Sequence, residues 1–322
     1  MKSAACTLFE GDYHPGVAVL VNSLCKQGFK GDFYAGYRGV LPLWAGAARE
    51  SACPDFPACH ALRVNESVML YFVLLDTDYH FTNYKPDFML RLMDGPMREA
   101  DSMYYFDPDI VVSAPWYFFE KWVKAGVALC EDVNSPLTKN HPTRVAWRNY
   151  FGKTGIRLSF KDQIYVNGGF VGIQRQDRSF LEVWKRVQEG MAPAIGGLSR
   201  SFFKGGEQLP EEARGSFAPF GKTDQDALNA SVEAWDGETS FITKEGMGFR
   251  PGLAVLPHAL GQPKPWAWNI MGLALKGRPP KLVIREYWKY ASGPLKAHTE
   301  ALIKKKRFAL RVAALLSRFY KK

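Results

Sequence analysis

The sequence lacks the features of membrane-spanning and secreted proteins. Its 322 residues contain no apolar run that approaches the ~20 residues needed to cross a bilayer. The opening stretch, MKSAACTLFEGDYHPGV, has no clean apolar segment before Glu10 and Asp12, so it does not resemble a secretory signal. We therefore expect a cytoplasmic protein.

Cysteine is also scarce. The chain has five cysteines, an odd number that argues for free thiols when no secretory signal is present. Cys53, Cys59 and His60 lie together in CPDFPACH, but their spacing is not a standard zinc spacing and no second pair accompanies them. We predict that this segment is a plain loop.

Acidic residues are depleted at one end of the chain. The formal net charge is +10, and the residues from Lys296 onward contain nine cations against one anion, Glu300. The remainder is close to neutral, which argues against a general nucleic-acid-binding surface. We predict one large domain over residues 1–295 and a basic C-terminal helix over residues 296–322.

Apolar segments of strand length alternate with segments of helical period along the first domain. Strands are predicted at 5–9, 32–37, 67–75, a segment ending at Asp107, 126–130, 165–173 and 253–258. Helices are predicted at 16–28, 116–124, 142–151, 179–189 and 224–234, with a further helix that carries Pro86 in its first turn. This alternation predicts an α/β fold with a mainly parallel sheet flanked by helices.

Residues 190–222 differ from their surroundings. They are rich in Gly and Pro and show little periodicity. A long irregular segment in a compact domain is often a lid or a binding loop. A variable surface insertion explains the composition equally well, and both interpretations stay open.

The stretch YYFDPDIVV (104–112) interrupts an apolar strand with two carboxylates. Burial of an unpaired carboxylate is costly, so Asp107 and Asp109 require a partner or a cation. Two carboxylates separated by one residue suit a hard divalent cation, and α/β sheets bind ligands beyond the carboxyl ends of their strands. The spacing alone is weak evidence, because DTD (76–78) also follows an apolar strand.

The segment LPHALGQPKPW (256–266) offers complementary chemistry. His258 suits a manganese site that already contains carboxylates. Lys264 can neutralise a phosphate as a point charge. A metal ion and a lysine together are what a departing diphosphate requires, although taken alone these residues also suit an ordinary loop.

Four segments, taken in order, resemble family 8 of the retaining glycosyltransferases, whose members include glycogenin and bacterial lipooligosaccharide galactosyltransferases. The resemblance covers residues 4 to about 268 and favours Asp107 and Asp109 over the earlier DTD as the metal pair. The segments are TLFEGDYHPGVAVLVNSL (7–24), YYFDPDIVV (104–112), NGGFVGI (167–173) with DQDALN (224–229), and HALGQPKPW (258–266).

The resemblance implies a GT-A fold, a UDP-sugar donor, and manganese or magnesium as cofactor. The implied metal ligands are Asp107, Asp109 and His258. The implied nucleotide contacts are Thr7, Glu10, Asp12, Tyr13, Gly261 and Lys264. The implied residues at the donor sugar and the reacting face are Asn167, Gly168, Asp224 and Gln225, with Glu131 or Asp132 also near the sugar.

The sequence departs from the family pattern at two places. Glu10 and Gly11 stand where the family more often has an Asp or Asn pair near the base, and Tyr13 is still available to stack on uracil. The basic residue that precedes the metal pair has no clear match, so Lys85 and Arg91 both stay candidates for the sugar site.

The implied reaction is transfer of a hexose-type sugar to a glycan or lipid-linked acceptor, as in the synthesis of a bacterial-type surface polysaccharide. Gln225 is a poor nucleophile because an amide is neutral. We therefore favour front-face attack, with Asp224 orienting the sugar and the leaving phosphate accepting the acceptor's proton. The alternatives are a GT-A module that binds without turnover, and a nucleotidyltransferase. The latter usually carries a basic, Gly-rich loop near the first strand, which TLFEGDYHPG lacks.

The C-terminal segment 300–322 has helical period. Its basic face favours an element on an anionic membrane surface, and hence a peripheral location on the inner face of the membrane. Packing of the helix on the domain is the alternative, and nucleic-acid binding is the less favoured role. The predicted apolar stripe comprises Leu302, Ala309, Val312, Leu316 and Phe319, with Phe308 at its edge, and the predicted basic face comprises Lys304, Arg307, Arg311, Arg318 and Lys322.

Overall fold

The structure is a computed structural model that describes residues 1–53, 55–201 and 217–320. Within these residues, nine strands form one sheet in the order β3-β4-β5-β2-β1-β6-β8-β7-β9. The strands are β1 (Ser3–Phe9), β2 (Gly31–Tyr37), β3 (Arg49–Glu50), β4 (Cys59–Arg63), β5 (Val68–Leu74), β6 (Ser102–Phe106), β7 (Val127–Glu131), β8 (Val166–Gln174) and β9 (Thr239–Ile242).

The centre of the sheet is parallel. Strand β1 pairs in parallel with β2 on one side and with β6 on the other, and β5 continues the parallel order beyond β2. Strands β4 and β8 run in the opposite direction. Every residue of β1 is buried, because helices cover both faces of a parallel sheet. The predicted α/β fold with a mainly parallel sheet is confirmed.

Nine α-helices are described. They are α1 (His14–Lys26), α2 (Lys85–Asp94), α3 (Trp116–Trp122), α4 (Pro142–Lys153), α5 (Ser179–Ile195), α6 (Thr223–Ala234), α7 (Ile270–Leu275), α8 (Leu282–Tyr290) and α9 (Glu300–Leu316). One face of the sheet packs against α1 and α3. The other face packs against α2, α5 and α6.

The predicted strand at 253–258 is wrong. This segment forms only an isolated bridge between Ile110 and His258. Its amides at Val255 and Leu256 both donate to Gly246 O instead of a neighbouring strand, and Pro257 has no amide hydrogen to offer. The apolar character that suggested a strand reflects burial, since Val255 and Leu256 belong to the core.

Two further predictions need correction. The segment around Cys53 and Cys59 is not simply a loop, because Cys59–Arg63 forms β4 and pairs with β5. The segment 190–222 is helical at its start, where α5 continues to Ile195, and α6 begins directly after it at Thr223. Residues 202–216 of it lie outside the described part, so the choice between lid and insertion stays open.

The C-terminal helix packs on the domain. Ile303, Leu310 and Ala313 of α9 are buried against α7 and α8 in one apolar cluster, with Leu302, Ala309 and Leu316 at its edge. Phe319, which we placed on the apolar stripe, is instead 80% exposed. Arg307, which we placed on the basic face, donates hydrogen bonds to Trp288 O and Lys289 O. In the described part of the chain, no helix is both long and apolar enough to span a membrane.

Candidate functional site

One cavity of about 480 Å³ opens at the edge of the sheet where β1 and β6 end and β8 begins. The parallel strands β1 and β6 deliver their carboxyl ends to this edge. Strand β8 is antiparallel and delivers its first residues to the same place. The sequence-predicted residues that line this cavity are Glu10, Tyr13, Asp107, Asp109, Asn167, Gly168, Asp224, Gln225, His258, Gly261 and Lys264.

The Asp-Pro-Asp turn is held by its surroundings. The amide of Asp107 donates to Gly169 O (2.7 Å), and the amide of Ile110 donates to Asp107 O (3.1 Å). Helix α1 approaches the turn at Gly16, where a Cβ would lie 2.1 Å from Pro108 O. Only glycine permits this approach, so the helix supports the turn directly.

Asp107, Asp109 and His258 present one ligand atom each within 4.8 Å of one another, and they are the one such group among the described residues. His258 Nε2 lies 3.2 Å from Asp109 Oδ1 and 3.8 Å from Asp107 Oδ2. Two carboxylates and an imidazole suit manganese or magnesium. The residues therefore fit a hard divalent cation.

Lys264 pairs with the buried carboxylate of this group. Its Nζ lies 2.5 Å from Asp109 Oδ2 and donates to Ala259 O (3.0 Å). Burial by itself raises the pKa of Asp109, but the charges and hydrogen bonds of His258 and Lys264 outweigh burial and hold that pKa below its usual value. Asp109 is thus held ionised, ready to bind a cation.

Lys85 is the second ammonium group of the site. It begins α2 and is fully buried, with its Nζ 2.8 Å from Gly168 O, 3.1 Å from Asp107 Oδ1 and 3.3 Å from Asp224 Oδ2. Burial lowers its pKa, but the two carboxylates more than offset this and leave the pKa raised. Lys85 therefore remains charged.

Arg91, the other basic candidate, is not at this cavity. Its guanidinium donates to Tyr84 Oη (2.8 Å) and lies 3.8 Å from Asp76. Asp76 belongs to the competing DTD segment and is exposed. The structure thus brings Lys85 to the metal group and leaves Arg91 and the DTD segment outside it.

Asp224 and Gln225 lie in the first turn of α6 and face the start of β8. Burial raises the pKa of Asp224, and Lys85 opposes that effect. Gln225 Oε1 accepts from the amide of Gly168 (3.2 Å) and from Asn167 Nδ2 (3.4 Å). The carboxylate and the amide are therefore held beside the same two residues of β8.

The opposite end of the cavity is aromatic. Tyr13 packs edge-on against Trp266 with ring centroids 5.8 Å apart, and Gln262 Nε2 donates to Tyr13 Oη (3.3 Å). Glu10 lies 3.4 Å from Arg38. A flat ring beside polar groups suits a nucleobase.

Besides Lys85, which reaches the site from behind, and Arg91, four further predicted residues lie outside the cavity lining. Thr7 is fully buried, and its Oγ1 has no hydrogen-bond partner in the described structure, whereas Asp12 is exposed. Glu131 accepts from the amide of Lys244 (3.3 Å). Asp132 is buried behind the cavity and accepts from Asn167 Nδ2 (2.7 Å). Sequence position at a strand end did not reveal which way these side chains point.

Sequence analysis missed several cavity residues on one wall. His80, Phe81, Thr82, Ser201 and Lys222 line the cavity beside Asp224. His80 Nε2 lies 3.3 Å from Ser201 Oγ, and burial lowers the pKa of His80. For His80, Phe81 and Thr82 the available signal was their place after the apolar strand β5, at the same sheet edge as Asp107, whereas Ser201 and Lys222 carried no such signal.

No family model matches the sequence, and no match appears among curated protein sequences. Solved structures do match. The chain is similar to the WbbM bifunctional glycosyltransferase (14% identity, TM-score 0.52, covering 95% of this chain and 52% of that one). It is similar to the galactosyltransferase LgtC, solved with donor and acceptor sugar analogs (12% identity, TM-score 0.52, covering 94% of this chain and 99% of that one). It is also similar to the glycosyltransferase GlyE of Streptococcus pneumoniae TIGR4 (15% identity, TM-score 0.51, covering 97% of this chain and 64% of that one).

At these identities the likeness shows the fold and leaves activity to be argued from the site. The chain spans about half of WbbM and under two thirds of GlyE, but nearly all of LgtC. The structural neighbours are glycosyltransferases, and the predicted GT-A fold with its C-terminal helix is confirmed.

Proposed function

We propose that this protein is a metal-dependent retaining glycosyltransferase that moves a hexose-type sugar from a UDP-sugar to a glycan or lipid-linked acceptor. One observation carries the proposal: Asp107, Asp109 and His258 converge in one cavity, and each carboxylate has its own lysine. The likeness to solved glycosyltransferases supports the reaction class.

The charge balance of the cavity supports metal dependence. Three carboxylates, Asp107, Asp109 and Asp224, face the two ammonium groups of Lys85 and Lys264. The excess charge of these five groups, which surround the metal group, is negative and would repel a diphosphate. Manganese or magnesium at Asp107, Asp109 and His258 would reverse that sign and supply a Lewis acid for the departing diphosphate.

The residues of the chain then have distinct roles. Lys264 lies 5.5 Å from the Tyr13 ring centroid, between the metal group and the aromatic end. That position suits a diphosphate placed between a base on Tyr13 and the metal group, with Gly261 beside it. The ammonium group of Lys264 would hold a phosphate oxygen there by acting as a positive point charge. The uridine thus belongs at Tyr13 and Glu10.

The donor sugar belongs at the other end, beside Gly168, Lys85 and Asp224. Lys85 holds Asp224 in place by an ion pair, and Asp224 orients the sugar and stabilises its developing positive charge. Gln225 is engaged by two hydrogen bonds to β8 and is neutral, so it is unsuited to form a covalent intermediate. This favours front-face attack, in which the leaving phosphate accepts the proton of the acceptor hydroxyl.

We also propose that α9 lies on an anionic membrane surface, with a different face from the one that the sequence suggested. Phe308, Leu315 and Phe319 are 67%, 55% and 80% exposed, and Lys304, Arg311 and Arg318 are exposed on the same side of the helix. Interleaved aromatic and basic residues suit the headgroup region. Each cation near an anionic leaflet adds roughly 1 kcal/mol. Such a location fits a lipid-linked acceptor.

A binding and turnover screen tests the enzymatic proposal. UDP-, GDP-, CMP- and dTDP-sugars are offered with and without manganese, and binding and nucleotide release are measured. Metal-dependent binding of a UDP-sugar with slow UDP release supports the proposal, and NMR of the product's anomeric configuration tests retention. Binding without release, even with acceptors present, would favour the non-catalytic module. No metal-dependent binding would overturn the metal group.

A further inference from the structure

Asn167 sits directly behind His258 and is almost fully buried. It also lines the cavity and donates to Gln225 Oε1 (3.4 Å), but its side chain makes three closer contacts. Oδ1 accepts from the amide of Gly169 (2.9 Å) and lies 3.1 Å from His258 Nδ1, while Nδ2 donates to Asp132 Oδ2 (2.7 Å). The side chain thus links a buried carboxylate to the proposed metal ligand.

The two outer partners determine which way the Asn167 amide faces. The backbone N–H of Gly169 can only donate, so the atom it contacts is the oxygen. A carboxylate can only accept, so the atom facing Asp132 is the nitrogen. Asp132 is itself held by the amide of Asn134 (2.9 Å). The hydrogen-bond partners therefore distinguish the oxygen of the Asn167 side-chain amide from its nitrogen, two atoms that are otherwise easily exchanged.

This orientation has a consequence for His258. An amide oxygen can only accept, so the hydrogen bond requires that His258 Nδ1 carry a hydrogen. The lone pair of the neutral ring then belongs to Nε2, which faces Asp109 Oδ1 at 3.2 Å and Asp107 Oδ2 at 3.8 Å. A lone pair facing carboxylate oxygens is repulsive unless a proton or a metal ion lies between them. Asn167 therefore presents the ring in the form that binds a metal.

The backbone of β8 holds the ring from a second side. A Cβ at residue 169 would lie 2.6 Å from His258 Cε1, so Gly169 lets the strand close against the edge of the imidazole. The ring is thus confined by Gly169 and by the hydrogen bond from Nδ1. Rotation of the ring would break that hydrogen bond.

We infer that Asn167, backed by Asp132, is a positioning residue that sets the tautomer and orientation of His258, and through them the affinity for the divalent cation. This deepens the proposed function and rests on its metal group. It is a role in addition to the one at the reacting face that the family resemblance implies for Asn167, which lines the cavity. Removal of a residue that hydrogen-bonds to a metal ligand typically lowers the metal affinity by about 10- to 100-fold.

The test compares Asn167→Ala with Asn134→Ala. The side chain of Asn134 also donates from Nδ2 to Asp132 Oδ1 and has no hydrogen bond to His258 in the described structure, so Asn134→Ala is a matched control for loosening the carboxylate. Long-range ¹⁵N–¹H NMR of the metal-free protein, recorded at a pH where the ring is neutral, reads the tautomer directly, with His258→Gln used to assign the signal. Titration with manganese, followed by electron paramagnetic resonance, reads the affinity.

We expect the hydrogen on Nδ1 in the unchanged protein and in Asn134→Ala, and a shift towards Nε2 in Asn167→Ala. Manganese affinity should fall about 10- to 100-fold in Asn167→Ala and by less than about twofold in the control. Asn167→Leu, which keeps the shape but offers no acceptor, should behave like Asn167→Ala and serves if alanine disturbs folding.

An unchanged tautomer and unchanged metal affinity in the Asn167 variants would overturn the inference. Failure of this inference can be distinguished from failure of the proposed function. If the unchanged protein binds neither manganese nor magnesium, metal dependence fails, whereas the tautomer comparison still decides whether Asn167 sets the ring.

Discussion

The ammonium group of Lys85 lies between two carboxylates from distant parts of the chain, 3.1 Å from Asp107 and 3.3 Å from Asp224. Asp107 directly follows β6, and Asp224 lies in the first turn of α6. One buried cation therefore joins the metal end of the cavity to the sugar end, and both carboxylates depend on it for compensation.

Lys85→Met should destabilise the protein and abolish transfer. Removal of one partner from a buried ion pair costs about 3 kcal/mol or more, because the remaining charge is left uncompensated. Chemical denaturation measures the free energy of unfolding. Arg91→Met, on the same helix but outside the cavity, should change it by less than about 1 kcal/mol. Equal stability of the two variants would contradict the role assigned to Lys85.

Asp109→Asn should abolish metal-dependent transfer while the chain still reaches the same fold, although with reduced stability. An amide keeps the shape of the carboxylate but removes the charge that binds the cation, and it leaves Lys264 without its ion-pair partner. Turnover and circular dichroism are the measurements. Asp76→Asn, in the competing DTD segment, should retain normal turnover. Normal turnover in Asp109→Asn would show that the metal group is misassigned.

Asp226 should make stability depend on pH. Burial raises the pKa of Asp226 to about 7, although it accepts hydrogen bonds from Tyr165 Oη (2.7 Å) and from the amide of Lys222 (2.7 Å). The folded state therefore binds a proton more tightly than the unfolded state. This contribution is full below the unfolded pKa near 3.8 and is lost as pH rises towards 7.

The expected slope from Asp226 is at most roughly 1.4 kcal/mol per pH unit between pH 4 and 7. Asp226→Asn mimics the neutral form, so its free energy of unfolding should exceed that of the unchanged protein most at pH 8 and by less at pH 5, and should match it only below the unfolded pKa near 3.8. Urea denaturation at both values checks this. If the difference between the two proteins is independent of pH, Asp226 does not titrate in this range.

The exposed face of α9 should bind anionic vesicles. Replacement of Phe308, Leu315 and Phe319 by serine removes the apolar contacts and should abolish sedimentation with anionic vesicles. The buried side of the helix, which carries Ile303 and Leu310, stays intact. Serine at Val40 and Leu43, which are 89% and 100% exposed elsewhere on the protein, is the matched control. Undiminished sedimentation, or salt-dependent binding to DNA but not to vesicles, would contradict the proposal.

The sequence was sufficient for the main elements of the fold because their signals are local. A continuous apolar run such as VMLYFVL predicts a strand buried on both faces, and the strand is observed at Val68–Leu74. The signal failed at 253–258, where Val255 and Leu256 are equally apolar. Burial and strand pairing both favour apolar residues. Whether a buried segment also forms a hydrogen-bonded strand ladder depends on the segment of the chain that lies beside it.

The choice between Lys85 and Arg91 shows the same limit at the site. Both follow β5 and precede the Asp-Pro-Asp turn, so their order in the chain does not separate them. On a helix with 3.6 residues per turn, side chains six positions apart differ by roughly 120° in direction. The packing of α2 against β6 and α5 turns Lys85 towards Asp107 and Arg91 towards Asp76.

The sequence by itself determined the alternation of strands and helices, the two carboxylates at a strand end, and the helical spacing of basic residues near the C-terminus. Each of these features depends on residues that lie close together in the chain. Only the tertiary structure decided which lysine meets which carboxylate, that Asn167 stands between Asp132 and His258, and which side of α9 is buried. Those relationships join residues far apart in sequence, and they depend on how helices rotate and strands pair when the core packs.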